Sequence, residues 1–230
     1  MSRLLLSVGS PHMISVSAMR EIERKANAMG ISDAAMMEHA GSNAARIADG
    51  LMELGGKHVM VFCGTGNNAG DGLVFARHAL GYGAHVKILF VKGTEGLKPL
   101  PMQNYERLKE LKADGGVVSF LTGLDVHAKA DILVDAMLGI GIRGNVDGAY
   151  RKAIEAFNGM AGIKVSLDCP SGLDCDTGMV LGAAARPDVT ITFYDVKMGM
   201  NEANSGWIIV AGIGAIKQER GPRGAAPSRI

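Results

Sequence analysis

The sequence predicts an α/β fold, a three-layer αβα sandwich around a mostly parallel central sheet. Three observations predict it. Short runs of strand length are continuously apolar rather than alternating, as strands covered on both faces are. Stretches with helical periodicity separate several of them, the alternation expected of a parallel sheet with helices on its faces. The first run leads into a glycine-rich turn and then an amphipathic stretch, VMVFCGTGNNAGDGLVFARH at 59–78, which reads as strand, turn and helix.

The elements follow in order. Residues 14–29 have helical spacing, with Met19, Ile22 and Ala26 on one face. Ser17, with Glu21 nearby, offers a start and Gly30 a stop. Ser32 or Asp33 caps a second helix that runs to about Leu54 and ends at Gly55 and Gly56. Its MMEHAG segment, 36–41, is rich in small residues suited to close packing. Strands are expected at 59–63, 86–91, 132–135, 163–168 and 189–194, a sixth at 207–210, with 117–121 a further candidate. Helices are expected at 72–80, 102–113 and 147–157.

A chain of 230 residues is long enough for one sizeable core, and no linker or internal repeat divides it, so one domain is expected over 14–217. The leader, 1–13, ends in GSPHM and reads as a vector junction with Met13 as the natural start, or as a targeting segment. The tail, 218–230, has the composition of a disordered end. A net charge of +1 leaves no footprint for nucleic acid or an anionic membrane. No apolar run approaches the roughly 18 residues of a membrane span. The cysteines Cys63, Cys169 and Cys175 are odd in number and lack C-x-x-C spacing. That argues against a disulfide framework or a zinc site, and for buried thiols in a reducing, cytosolic setting.

Ligands in such sheets bind beyond the carboxyl ends of the strands, so polar residues there carry the functional reading. The GTGNNA turn at 64–69 fits a dinucleotide fingerprint and offers backbone N–H groups at a helix N-terminus. A dehydrogenase of this kind would place an acid after the second strand, for the ribose; here that strand ends in FVK. Lys92 could meet a 2′-phosphate but reads first as a solvated surface lysine. Asn67 and Asn68 suit left-handed turn positions, and Asp71 suits either a helix cap or a ligand contact. Asp135 and Asp168 each end a buried strand, where a carboxylate is costly unless paired or bound to a cation. Arg143, in a glycine loop, could neutralise a phosphate or stand free. Ser171 lies in a PSG turn that is not the G-x-S-x-G elbow of hydrolases, and Asp174 and Asp176 read as stabilisers of that turn. The histidines show no metal-ligand spacing.

Together, five segments resemble the NAD(P)H-hydrate epimerase family, also known as the YjeF N-terminal domain. MMEHAG at 36–41 is similar to its LMENAG, GNNAGDG at 66–72 to GNNGGDG, and VDAMLGIG at 134–141 to VDALFGTG. DCPSGLD at 168–174 is similar to DIPSGLD, and FYDVKMG at 193–199 to FGAPKxG. The resemblance runs in order over 14–214.

It implies a Rossmann-like sandwich, commonly a homodimer. The implied activity is an isomerase that interconverts the R and S epimers of hydrated NADH and NADPH (NADHX and NADPHX) in the cytoplasm, so that a separate dehydratase can repair the cofactor. It implies substrate contacts from Asn67, Asn68, Ala69, Gly70 and Asp71, from the phosphate loop Gly139, Ile140, Gly141, Ile142, Arg143, Gly144 and Asn145, and from Tyr150 and Asp168. It also implies one potassium ion per subunit, held by Asn68, Asp135 and Ser171. For proton transfer, Asp135 is the first expectation and Asp168 the second. Three departures stand out. Ala69 replaces a glycine, which would strain the loop if its φ were positive. His39 replaces an asparagine, and Ile140 a small polar residue. The alternative is a non-catalytic nucleotide- or protein-binding module of the same fold.

Overall fold

The computed structural model describes residues 13–113, 117–121, 123 and 128–215. The predicted leader through residue 12 and the tail 218–230 lie outside the described residues. Among the described residues there are seven strands: β1 (His58–Cys63), β2 (His85–Phe90), β3 (Val118–Leu121), β4 (Ile132–Ala136), β5 (Ile163–Leu167), β6 (Val189–Phe193) and β7 (Trp207–Ala211). They form one sheet in the order β3-β2-β1-β4-β5-β6-β7. Every pairing is parallel, so the sheet is wholly rather than mostly parallel. The further candidate at 117–121 is a real edge strand.

Six helices among the described residues accompany it: α1 (Val16–Ala28), α2 (Asp33–Met52), α3 (Asn67–Gly81), α4 (Pro99–Ala113), α5 (Gly148–Gly159) and the single turn α6 (Glu202–Ser205). Alternation along β1 divides the core. Val59, Val61 and Cys63 pack with α1 to α4, whereas Met60 and Phe62 face α5. Phe62 meets Phe157 of α5 edge to face, with ring centroids 5.6 Å apart. Ala40 and Gly41 of α2 are buried, and a Cβ on Gly41 would lie 2.5 Å from Val74 Cβ of α3, the close packing expected of the 36–41 segment. Among the described residues, no helix is long and apolar enough to cross a membrane.

Several strand ends shift by one residue and α4 starts at Pro99 rather than 102; three further boundary shifts have a clear cause. Ser15, not Ser17, caps α1, accepting from the Ala18 amide at 3.1 Å. The residue before it, Ile14, pairs with the chain at Lys197, through N–H donation to Val196 O at 2.7 Å. Glu53, in the left-handed conformation at φ 52°, ends α2 ahead of the glycines. Most consequentially, α3 begins at Asn67, five residues before the predicted start at 72. Asn67, Asn68 and Ala69 are therefore helical rather than turn residues, so the feared strain at Ala69 does not arise.

The strand order reverses between β1 and β4, which run in register from Val59↔Ile132 to Cys63↔Ala136. Their carboxyl-end loops thus leave the sheet side by side, at the place where doubly wound sheets bind ligands. The two loops also touch. A Cβ on Gly64 would lie 1.9 Å from Met137 O, so only glycine permits this approach.

Candidate active site

A cavity of about 570 Å³ opens at this crevice. It is lined by the first turn of α3 and the loop after β4, by residues of α1 and α2, and by Thr65, Lys98 and Tyr150. The helical start of α3 sorts the expected substrate contacts. Asn67, Asn68 and Asp71 share a helix face and line the cavity, whereas Ala69 and Gly70 turn into the core. Asp71 sits inside the helix and is not its cap. In the expected phosphate loop, Gly139, Ile140, Gly141 and Ile142 line the cavity; Arg143, Gly144 and Asn145 do not. Tyr150 does line it, 3.5 Å from Thr65 Oγ1 through its hydroxyl. His39 is absent from the wall and packs against Gly214.

Asp168 is the most constrained acid of the cavity. It follows the end of β5 with φ 65°, a left-handed conformation uncommon outside glycine. Backbone strain of this kind persists where the surroundings impose it, as they do here. Its Oδ1 accepts from Lys197 Nζ at 2.6 Å. Lys197 is 0% exposed, and its other two N–H bonds reach Thr192 Oγ1 (2.9 Å) and Phe193 O (2.8 Å). All three ammonium donors are thereby used. Asp168 Oδ2 has no donor among the described residues and lies beside Gly139.

Asp71 and Glu23 share the cavity with Asp168. Burial pushes the Asp71 carboxyl well above its ordinary value, and the charges of Asp168 and Glu23 add to the rise against the pull of Lys197. Burial likewise raises Glu23, helped by Asp168 and Asp33 and opposed by Lys197 and Arg20. No hydrogen-bond donor among the described residues meets the Asp71 carboxylate.

Asp135 is placed differently from the expectation. It lies within β4, is 0% exposed and is no part of the cavity wall. Its Oδ2 accepts from Ser166 Oγ (2.9 Å) and the Ser171 amide (2.8 Å). Its Oδ1 accepts from Ser171 Oγ (2.5 Å) and the Met137 amide (3.2 Å). Burial raises this carboxyl, with the Ser171 hydroxyl opposing most strongly. The residue therefore ties the loops after β4 and β5 together.

Asn68, Asp135 and Ser171, the expected potassium ligands, do converge. Asn68 Nδ2 donates to Leu138 O at 3.1 Å, and Ser171 Oγ, whose one proton goes to Asp135, lies 3.1 Å from the same oxygen. Asn68 Oδ1 is buried without a hydrogen-bond partner. An orphaned amide oxygen, a hydroxyl and one carboxylate form an all-oxygen set suited to a hard cation. Among the described residues, no group of three His, Cys, Asp or Glu could hold a metal ion.

The same loop corrects the cysteine reading. Cys169 and Cys175 are joined by a disulfide, their Cα atoms 6.7 Å apart. The turn that bonds the Leu173 amide to Pro170 O at 3.0 Å folds positions six apart onto each other. Cys63 alone is a free thiol, and its burial pushes its pKa far up. Asp174 stabilises the turn as expected, its Oδ1 accepting from the Asp176 and Thr177 amides, whereas the Asp176 carboxylate leaves the turn and accepts from the Val16 amide at the start of α1.

Comparison with known proteins places this geometry. The family described as YjeF-related protein N-terminus matches residues 33–199. The chain belongs to that family. Among its relatives is the NAD(P)H-hydrate epimerase of Cenarchaeum symbiosum, 36% identical over 190 residues, covering 81% of this chain and 87% of the relative. The Bifunctional NAD(P)H-hydrate repair enzyme Nnr of Thermofilum pendens is 40% identical over 188 residues, covering 80% of this chain. The match spans only 36% of that longer relative. A crystal structure of yeast ynu0 superposes with a TM-score of 0.73 at 24% identity, covering 84% of this chain and 86% of the other, and shows the shared fold. The cavity also draws on two residues that had no expected role. Lys197 lies in the FYDVKMG segment, where a lysine just past an apolar strand was the available signal. Glu23 stands one helical turn from Met19, on the face already assigned inward.

Proposed function

We propose that this protein is an NAD(P)H-hydrate epimerase, interconverting the R and S epimers of NADHX and NADPHX. The observation that carries the proposal is the free Oδ2 of Asp168, aimed into a cavity and held by a buried lysine on the other oxygen. Epimerisation at the carbon bearing the hydroxyl needs loss and return of water, or ring opening and closure. Both routes need a proton donor and a proton acceptor within reach. Asp168 Oδ2 accepts from the reacting hydroxyl, and Lys197 matches the charge of its carboxylate. Asp71, whose burial favours its protonated form, supplies the proton from the α3 side. Asp135, the first expectation for this step, takes a positioning role instead.

Potassium, one ion per subunit, fits Asn68, Asp135 and Ser171, and when bound it supplies the positive charge that the buried Asp135 lacks. Asn67 and the 139–142 loop hold the dinucleotide. The same reading includes a homodimer, a cytoplasmic site of action and a separate dehydratase that consumes the product epimer.

The test is epimerisation itself. Purified R-NADHX and R-NADPHX are incubated with the protein in potassium buffer and the epimers are separated by chromatography. Approach to the equilibrium mixture faster than the spontaneous rate is expected. No acceleration by folded, potassium-loaded protein would overturn the catalytic reading in favour of a binding module.

A further inference from the structure

The strand order places β2 next to β1 on the side away from β4. In doubly wound dinucleotide sheets, the residue after that second strand faces the adenosine ribose. An acid there accepts a free 2′-hydroxyl, and a cation there accommodates a 2′-phosphate. In this chain Lys92 occupies that position, two residues past Phe90, the end of β2. Its ammonium stands 4.9 Å from the ring centroid of Tyr150, a residue of the cavity wall. The aromatic face holds the cation at the rim instead of leaving it to sweep through solvent.

A second cation joins it. Lys98 lines the cavity, and its backbone amide donates to Thr65 O at 3.0 Å. Thr65 in turn lies 3.5 Å from the Tyr150 hydroxyl. Lys92, Tyr150, Thr65 and Lys98 thus form one rim over the glycine turn. Neither lysine forms a salt bridge among the described residues. The acids Glu23, Asp71 and Asp168 of the cavity already have cations among them, Arg20 and the buried Lys197, whereas Lys98 reaches the wall beside Thr65.

We propose that Lys92 and Lys98 clamp a 2′-phosphate, making the protein selective for the NADP form of its ligand and so for NADPHX over NADHX. The choice of NADPHX rests on the epimerase reading above; the choice of a 2′-phosphorylated dinucleotide does not. Both lysines are exposed, so the discrimination is moderate, about tenfold, and it shrinks as salt screens the contact.

Two measurements test this. In calorimetry with NADP+ and NAD+ as probes, the wild-type protein binds NADP+ about tenfold tighter at low salt, and the margin shrinks in molar salt. Lys92→Ala and Lys98→Ala each narrow the ratio, the double variant brings it near one, and Lys92→Arg retains it. In turnover, the NADPHX:NADHX ratio of kcat/KM follows the same series, mainly through KM. Equal affinity for NADP+ and NAD+ in the wild type, or a ratio that the substitutions leave unchanged, overturns the proposal. A protein that accelerates neither epimerisation yet prefers NADP+ through the lysines sinks the epimerase reading and keeps this one. One that epimerises both substrates equally does the reverse.

Discussion

The Lys197 ammonium lies 2.6 Å from Asp168 Oδ1 and spends its remaining donors on Thr192 and Phe193 of β6. This links the acid after β5 to the neighbouring strand, and it leaves one carboxylate oxygen for the cavity. A buried pair of this kind stabilises little against an apolar replacement of both partners, but removing one partner is costly. Its value is geometric: it fixes an acid whose backbone is already in an unfavourable conformation.

Lys197→Met should therefore cost about 3 kcal/mol in urea unfolding, because a carboxylate is left buried without its cation. Asp168→Asn keeps the shape but leaves the buried Lys197 ammonium without its anion, so it too should lose stability, and in addition it should lose about 100-fold or more in kcat, with a smaller change in KM. Epimerisation kinetics beside unfolding curves separate the two effects. An Asp168→Asn protein with unchanged kcat would remove Asp168 from the chemistry.

The fold was legible because the signal for it is local: continuous apolar runs and helical periodicity place every strand of the sheet. The start of α3 was not, because asparagine and glycine at 66–72 favour turns, and packing of Ala69 and Gly70 into the core overrides that preference. Asp135 and Asp168 look alike in sequence, each closing an apolar strand. Their difference is conformational. Asp135 stays within β4, paired in register with Phe62 and Ser166, while Asp168 lies past β5 in a left-handed turn that presents it to the cavity. The Cys169–Cys175 bond depends on a loop closure that spacing alone does not reveal. The potassium set was legible only through the resemblance, because an asparagine from a helix, an aspartate from a strand and a serine from a loop carry no spacing signal.

Asp71 gives a pH-dependent stability of defined sign. Its folded-state pKa is raised, so between its ordinary value and the raised one the folded chain binds more protons than the unfolded chain. Stability from this group is present at low pH and is lost as pH rises through that window. Asp71→Asn removes the loss. It should raise the melting temperature at pH 8 by roughly 3 °C, with the gain vanishing towards pH 4, while turnover falls. A gain that is the same at both pH values would show that the carboxyl charge is not its source.

The disulfide closes a short loop that carries Ser171. Removing it with Cys175→Ala should cost about 2 kcal/mol, on the loop-entropy estimate for a sequence separation of six. Thiol labelling in denaturant checks the premise directly. One reactive thiol per unreduced chain, Cys63, is expected. Three would mean that the bond is absent in solution.

Potassium binding should be visible without turnover. Asn68 Oδ1 is a buried acceptor with no donor, and Asp135 is a buried carboxylate with no cationic partner, its four hydrogen bonds all coming from neutral groups. An ion that binds the folded chain alone stabilises it by about 1.4 kcal/mol at a tenfold excess over Kd. Replacing choline chloride with potassium chloride at equal ionic strength should then raise the melting temperature by roughly 4 °C. Asn68→Ala is the discriminating variant. It removes the orphaned oxygen and only one hydrogen bond, Nδ2 to Leu138 O, so it should fold and yet lose most of the potassium-dependent gain. Ser171→Ala removes the hydroxyl bond to Asp135 Oδ1 and the acceptor of the Leu138 amide, leaving the Ser171 amide bond to Asp135 Oδ2, so it should lose stability in both salts. If wild type and Asn68→Ala respond to potassium alike, the ion does not bind through Asn68, and its orphaned oxygen needs another ligand.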